Sequence, residues 1–220
     1  MLKTSRWTST LRRAGAVALV LFATQAHAGP AVPPPWPLAT QGSELATFSG
    51  GCFWSMNAIF ERVKGVRHVT AGFSGGSAKS PSYERVSTGT TGHAETVQID
   101  FDPAVISYSE LLHIFFTFHD PTTLNRQGAD VGTEYRSVIF THSPQQQGSA
   151  KRAIADLTQQ RVFRSPIVTQ VQPFVAFYPA EDYHQDYYAK YSGQPYCRFV
   201  IAPKVAKLHK LFAGELKPSM

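Results

Sequence analysis

From His93 to Phe101 the chain alternates without interruption, with His93, Glu95, Val97, Ile99 and Phe101 on one side of the strand this pattern predicts. Three of the five are apolar, so that side must be covered by other parts of the chain. This one strand commits the molecule to a sheet with packed layers. It also places Glu95 on the covered side, near the strand's start. Burial disfavours a charged carboxylate and raises its pKa. An uncharged carboxylic acid at neutral pH can donate a proton or a hydrogen bond. Periodicity alone also fits a buried Glu paired with Arg.

Other strands are expected at Leu45–Phe48, Arg67–Phe73, Tyr135–Thr141 and Ile167–Val171. Helices are expected over Cys52–Val63, Ser107–Phe118, Ser143–Gln160 and Pro179–Tyr191. The second is marked by a Ser107/Glu110 capping box and the third by Ser143-Pro144. The order does not alternate regularly. It therefore implies an α+β fold with a mixed, largely antiparallel sheet and helices packed on it. The stretches 74–92 and 121–134 read as long loops, a length usually tied to function.

The N-terminus has a separate logic. Lys3, Arg6, Arg12 and Arg13 precede an apolar run, Ala14–Ala23, and then a small-x-small site at Ala26-His27-Ala28. Residues 1–28 are expected to be a signal peptide cleaved after Ala28, giving a periplasmic or secreted protein. The run is too short for a lasting membrane anchor. Residues 29–42, rich in Pro, read as a linker to a single domain over 43–220. All 15 acidic residues lie beyond Ala28, with 17 of the 21 basic ones, so the net charge falls from +6 to +2. No basic stripe with interleaved aromatics remains to bind nucleic acid. A monomer is expected.

There are two cysteines, Cys52 and Cys197. In an exported chain, pairing them in a structural disulfide is the plain reading. Cys52, however, follows Ser49-Gly50-Gly51 and opens a helix. Unpaired N–H groups and the positive end of the dipole would there lower its pKa and make it nucleophilic. Phe53 and Trp54 follow, facing different directions, and one or both fit a pocket wall. Tyr83 and Tyr135 lie in or beside the long loops, as does Asp130. Loop tyrosines can donate to a developing oxyanion, although such residues more often pack or form turns. The histidines do not converge as metal ligands, and no metal is expected.

Six ordered blocks now carry a resemblance: Gly51-Cys52-Phe53-Trp54, Gly92-His93-Ala94-Glu95, His119-Asp120-Pro121-Thr122, Asn125-Arg126-Gln127-Gly128, Asp130-Val131-Gly132-Thr133 with Tyr135-Arg136-Ser137, and Tyr183-His184-Gln185. Together they resemble the peptide methionine sulfoxide reductase A family over about Phe48 to Lys190. The resemblance implies a sandwich related to ferredoxin-like folds. It implies Cys52 as nucleophile, Glu95 as acid, Tyr83 and Tyr135 as hydroxyl donors, Phe53 and Trp54 as the methyl pocket, and Asp130 as an orienting residue. Substrates would be oxidised proteins or methionine S-sulfoxide. No cofactor would be bound, and electrons would come from a thioredoxin-type donor, here a periplasmic thiol–disulfide protein. Asn57 departs from the family, which often has Glu there.

Cys197 admits two readings. It can resolve an oxidised Cys52, or it can be a buried residue opening an ordered strand, Arg198–Ile201, stopped by Pro203. The apolar run after it favours burial. Two other functions compete with the reductase. One is a cysteine hydrolase with His93 or His184 as base; the other is a binding domain held by a Cys52–Cys197 disulfide.

Overall fold

In a computed structural model, residues 41–218 are described apart from Ala78 and Ser80. The expected signal peptide and all but the last two residues of the expected linker lie outside the described residues.

The chain enters at β1 (Glu44–Gly50), turns at Gly51 and starts α1 (Phe53–Phe60). It returns as β2 (Val66–Ser74), passes a short helix, α2 (Tyr83–Val86), and runs through the centre as β3 (Ala94–Phe101). Next comes α3 (Tyr108–Phe118), capped as expected by Ser107 and Glu110 acting on each other's backbone N–H. A two-residue hairpin follows, β4 (Arg126–Gln127) with β5 (Asp130–Val131), then β6 (Ser137–Thr141) and α4 (Pro144–Gln159). The chain closes with β7 (Gln170–Pro173), β8 (Phe177–Pro179), α5 (Tyr187–Lys190) and α6 (Ala202–Leu211).

Six strands form one sheet in the order β7-β6-β1-β3-β2-β8. Every pairing is antiparallel except β6 with β7. The α+β class with a largely antiparallel sheet is as expected.

Both faces of β3 are buried, not only the apolar one. Val97, Ile99 and Phe101 carry the apolar core, while Thr96, Gln98 and Asp100 lie buried on the other side. Gln98 there donates to the Thr47 hydroxyl. A strand at the middle of a sheet can hide polar groups when they bond across to neighbours. On the apolar side, Phe48 of β1 meets Phe60 of α1 and Phe115 of α3, with ring centroids 5.9 and 4.9 Å away. This aromatic cluster presses α1 and α3 onto the sheet and fixes where Cys52 emerges.

Four expectations need correction. The strand expected at Ile167–Val171 sits later, at Gln170–Pro173. The segment Pro179–Tyr191 is not one helix: it begins as the end of β8 and contains a 3-10 turn, Asp182–His184, before α5. The stretches 74–92 and 121–134 are not structureless, since they hold α2 and the β4–β5 hairpin. Finally, Cys197 opens no strand. Cys197–Ile201 is a π-helical turn running straight into α6, with Pro203 in the first turn of that helix.

Candidate active site

At the β1–α1 junction, Gly51 has φ +89°, and a Cβ added to it would collide with the Gln127 side chain. Only glycine meets both demands. The turn sets Cys52 at the N-cap of α1. Gln127 is itself fixed, accepting from the Asp120 N–H at 2.8 Å and donating to the Asp120 carbonyl. The β4–β5 hairpin is thus held against the turn that carries the thiol. The two long loops are also tied to each other. Thr133 Oγ1 donates to the Gly89 carbonyl, and Arg136 donates to the carbonyls of Gly92 and Thr133.

Cys52, Phe53, Trp54, Tyr83, Glu95, Asp130, Tyr135 and Tyr196 line one cavity of about 190 Å³. All seven residues singled out for catalysis or substrate contact are therefore brought together. The cavity is matched to a side chain rather than a domain. A larger one, of about 430 Å³ beside the start of β1 and α4, is lined by Glu44, Tyr108, His142 and Gln146 among others. It holds no cysteine.

Glu95 is 3 % exposed, and its Oε2 accepts from the Phe53 N–H at 3.0 Å. The N-terminus of α1 is thus directed at the carboxyl. Burial pushes the Glu95 pKa up to about 8, opposed by that N–H and reinforced by the charges of Asp130 and Glu134. At neutral pH Glu95 is mainly the protonated acid, in line with its place on the covered strand face.

The same geometry corrects the expectation for Cys52. Burial and the Glu95 carboxylate push its thiol well above the usual range. A hydrogen bond with the Tyr196 hydroxyl and another from the Trp54 backbone pull it down without reversing the outcome. The helix N-terminus cannot ionise a thiol this deeply desolvated, and its first N–H is already bonded to Glu95. Burial and the nearby Glu95 charge also raise Tyr83 and Tyr135, so both hydroxyls keep their protons.

Phe53 is buried and Trp54 half-buried, with ring centroids 6.3 Å apart. The Trp54 indole N–H donates to His184 Nδ1 at 3.0 Å, and His184 also packs on Tyr83 at 4.3 Å. Asn57, where the family often has Glu, donates to the Val69 carbonyl and braces α1 on β2.

Two participants escaped the sequence reading. The Tyr196 hydroxyl donates to Asp130 Oδ2 at 2.8 Å while touching the Cys52 sulfur. Lys204 of α6 turns an ammonium toward Cys52 and Asp130. Burial lowers its pKa and those two groups raise it. Both residues come from the C-terminal segment, and only the fold brings them to Cys52. In the sequence, the one signal for Tyr196 is its adjacency to Cys197.

Cys197 does not reach the cavity. It is fully buried with Ala58 and Ile201, under Trp54, Tyr187, Tyr188, Tyr196 and Val205. Both cysteines are free thiols, which removes the disulfide-held binding domain. The hydrolase fares no better. His184 Nδ1 accepts from Trp54, His93 Nδ1 accepts from the Gly76 N–H, and neither histidine lines the cavity. Among the described residues, no three His, Cys, Asp or Glu side chains converge as a metal site would need.

Residues 44–216 match the family model described as peptide methionine sulfoxide reductase. The chain belongs to that family. Peptide methionine sulfoxide reductase MsrA of Saccharolobus solfataricus is 54 % identical over 174 residues, which cover 79 % of this chain and 97 % of that one. The protein of the same description from Thermus thermophilus is 49 % identical over 175 residues, covering 80 % and 98 %. Among solved structures, methionine sulfoxide reductase A of Corynebacterium diphtheriae superposes with a TM-score of 0.63 at 33 % identity, covering 74 % of this chain and 86 % of that one. Reduced Mxr1 of Saccharomyces cerevisiae gives 0.65 at 34 %, covering 71 % and 90 %. The protein is thus an oxidoreductase that reduces methionine sulfoxide in proteins.

Proposed function

We propose that Cys52 removes the oxygen from methionine S-sulfoxide, with Glu95 moving the protons. The observation that carries this reading is a thiol and a protonated, buried carboxyl in one side-chain-sized cavity. The Cys52 sulfur attacks the sulfoxide sulfur. Glu95, with the Tyr83 and Tyr135 hydroxyls, gives a proton to the oxygen, which is otherwise a poor leaving group. The oxygen moves to Cys52 as sulfenic acid and methionine leaves. The thiol proton returns to Glu95, so the carboxyl ends the cycle as it began. Phe53 and Trp54 hold the S-methyl group. Asp130, through Tyr196, orients the thiol. A methyl pocket and fixed oxygen donors define the directions around a chiral sulfur, so one epimer reacts.

The test is dithiothreitol-driven reduction of a methionine sulfoxide peptide with the epimers resolved. Only the S epimer should be consumed, and equal consumption of both would refute the reading. The free amino acid is proposed as a second, smaller substrate.

The sulfenic acid is cleared by an outside thiol, for which a thioredoxin-type protein is the proposed donor. Burial of Cys197 supports a donor that attacks Cys52 directly. The basic n-region, apolar run and Ala26-His27-Ala28 site support export, with a periplasmic monomer as the working form. N-terminal sequencing of the exported protein should begin at Gly29, and a chain that keeps Met1 in the periplasm would contradict cleavage.

A further inference from the structure

The cavity accepts one side chain, but its aromatic wall does not stop at the cavity. Trp54, which lines it, lies flat against Tyr187, with centroids 3.7 Å apart and planes 6° from parallel. Tyr187 in turn meets Tyr191 at 4.8 Å. Tyr191 is 41 % exposed. The three rings touch in series, from Trp54 in the cavity wall to Tyr191 at the surface. The series is held in place at its foot. Glu61 at the end of α1 hydrogen-bonds Asp186, the residue before α5, and Lys190 donates to the Gln185 carbonyl at 2.8 Å.

Trp54 and Tyr187 also cover Cys197, but Tyr191 lies outside that cluster and ends the series in an open ring. The inner end of the series is the methyl pocket, so whatever occupies it is joined to the oxidised methionine. The two ring steps span about two to three residues of extended chain, at roughly 3.3–3.6 Å per residue. We infer that Trp54, Tyr187 and Tyr191 form a subsite for an apolar side chain about two to three residues from the methionine sulfoxide in an unfolded substrate segment. This rests on the cavity being the reaction site. It makes Tyr191 a specificity-determining residue, and it selects oxidised methionines with apolar neighbours, those a native fold would have buried.

The test measures kcat/KM with dithiothreitol on three substrates: N-acetyl-methionine sulfoxide amide, a peptide with Leu or Phe two and three residues from the sulfoxide, and the same peptide with Gly there. The wild type should prefer the apolar peptide over the Gly peptide by roughly 3- to 10-fold, the worth of one aromatic contact. The preference should lie in KM. Tyr191→Ser should erase it and lower the ratio of apolar-peptide to small-substrate kcat/KM by the same factor, while Tyr191→Phe should keep it. Equal kcat/KM for both peptides, or a preference that survives Tyr191→Ser, would overturn the subsite while leaving the cavity reading intact. Failure of the wild type to turn over the small substrate would remove the cavity reading, and the subsite with it.

Discussion

Cys52 and Glu95 sit at opposite ends of one electrostatic problem. The Glu95 carboxylate raises the energy of the Cys52 thiolate, and burial keeps both groups protonated at neutral pH. Cys52→Ser should abolish reduction of a methionine sulfoxide peptide and leave the circular dichroism and melting profile unchanged; residual turnover with dithiothreitol would exclude Cys52 as nucleophile. Glu95→Gln should slow single-turnover sulfenic acid formation by about two to four orders of magnitude, the usual worth of a general acid. The pH dependence has a definite sign. The acid is present below about 8 and lost above it. The wild-type rate of that step should fall as pH rises through about 8, and the Gln variant should lack that limb. A wild-type rate that climbs steadily through the same range would make Glu95 structural. Glu95 was legible in the sequence because a strand's two-residue period leaves no doubt about which face a residue takes. Tyr196 was not, because its role depends on where a distant turn lands.

At the scale of elements, local signals in helices and caps survived folding, and apolar runs near the C-terminus did not. Ser107 and Ser143 cap their helices as read. By contrast, Phe199, Val200 and Ile201 carry strand propensity, yet they fold as a helical turn in which Ile201 packs on α1 and α5 and Phe199 stays exposed. Strand propensity is a preference for a packed surface more than a backbone rule. That turn encloses Cys197. Cys197→Ser should therefore keep most activity with both dithiothreitol and a thioredoxin-type donor. Mass spectrometry after one equivalent of substrate should find sulfenic acid on Cys52, and a stoichiometric Cys52–Cys197 disulfide would contradict the enclosure. The α1–α5 clamp makes its own prediction. Burial first, then the Asp186 hydrogen bond and charge, push the Glu61 pKa up to about 8. An acid raised in the folded state contributes stability that is complete below its unfolded value and lost as pH rises through the folded one. Glu61→Gln should therefore melt higher than wild type at pH 9 and lose that advantage near pH 4; a pH-independent difference would mean that the fold does not raise the Glu61 pKa.

On the scale of the whole molecule, every residue lining the reaction cavity lies between Cys52 and Tyr196, and the sheet begins at Glu44. A protein starting at Ser43 should fold and keep kcat/KM within about two-fold of the full chain, measured with dithiothreitol and a methionine sulfoxide peptide. A large loss would give residues 1–42 a part in the catalytic unit. The direction of the Phe53 N–H has a wider consequence. Because α1 gives its first N–H to the acid, and burial outweighs the Trp54 N–H left for the sulfur, the enzyme at rest presents a blunted thiol. Peroxide and alkylating reagents act on thiolates, and here they find little of one. On the proposed mechanism, a protein that repairs oxidative damage is thereby spared by the same oxidant, and its sulfur is roused only when a sulfoxide fills the cavity beside Glu95. Iodoacetamide should label Cys52 far more slowly than it labels the denatured chain at pH 7, and Glu95→Gln should speed labelling only above about pH 8, where the wild-type carboxylate is charged.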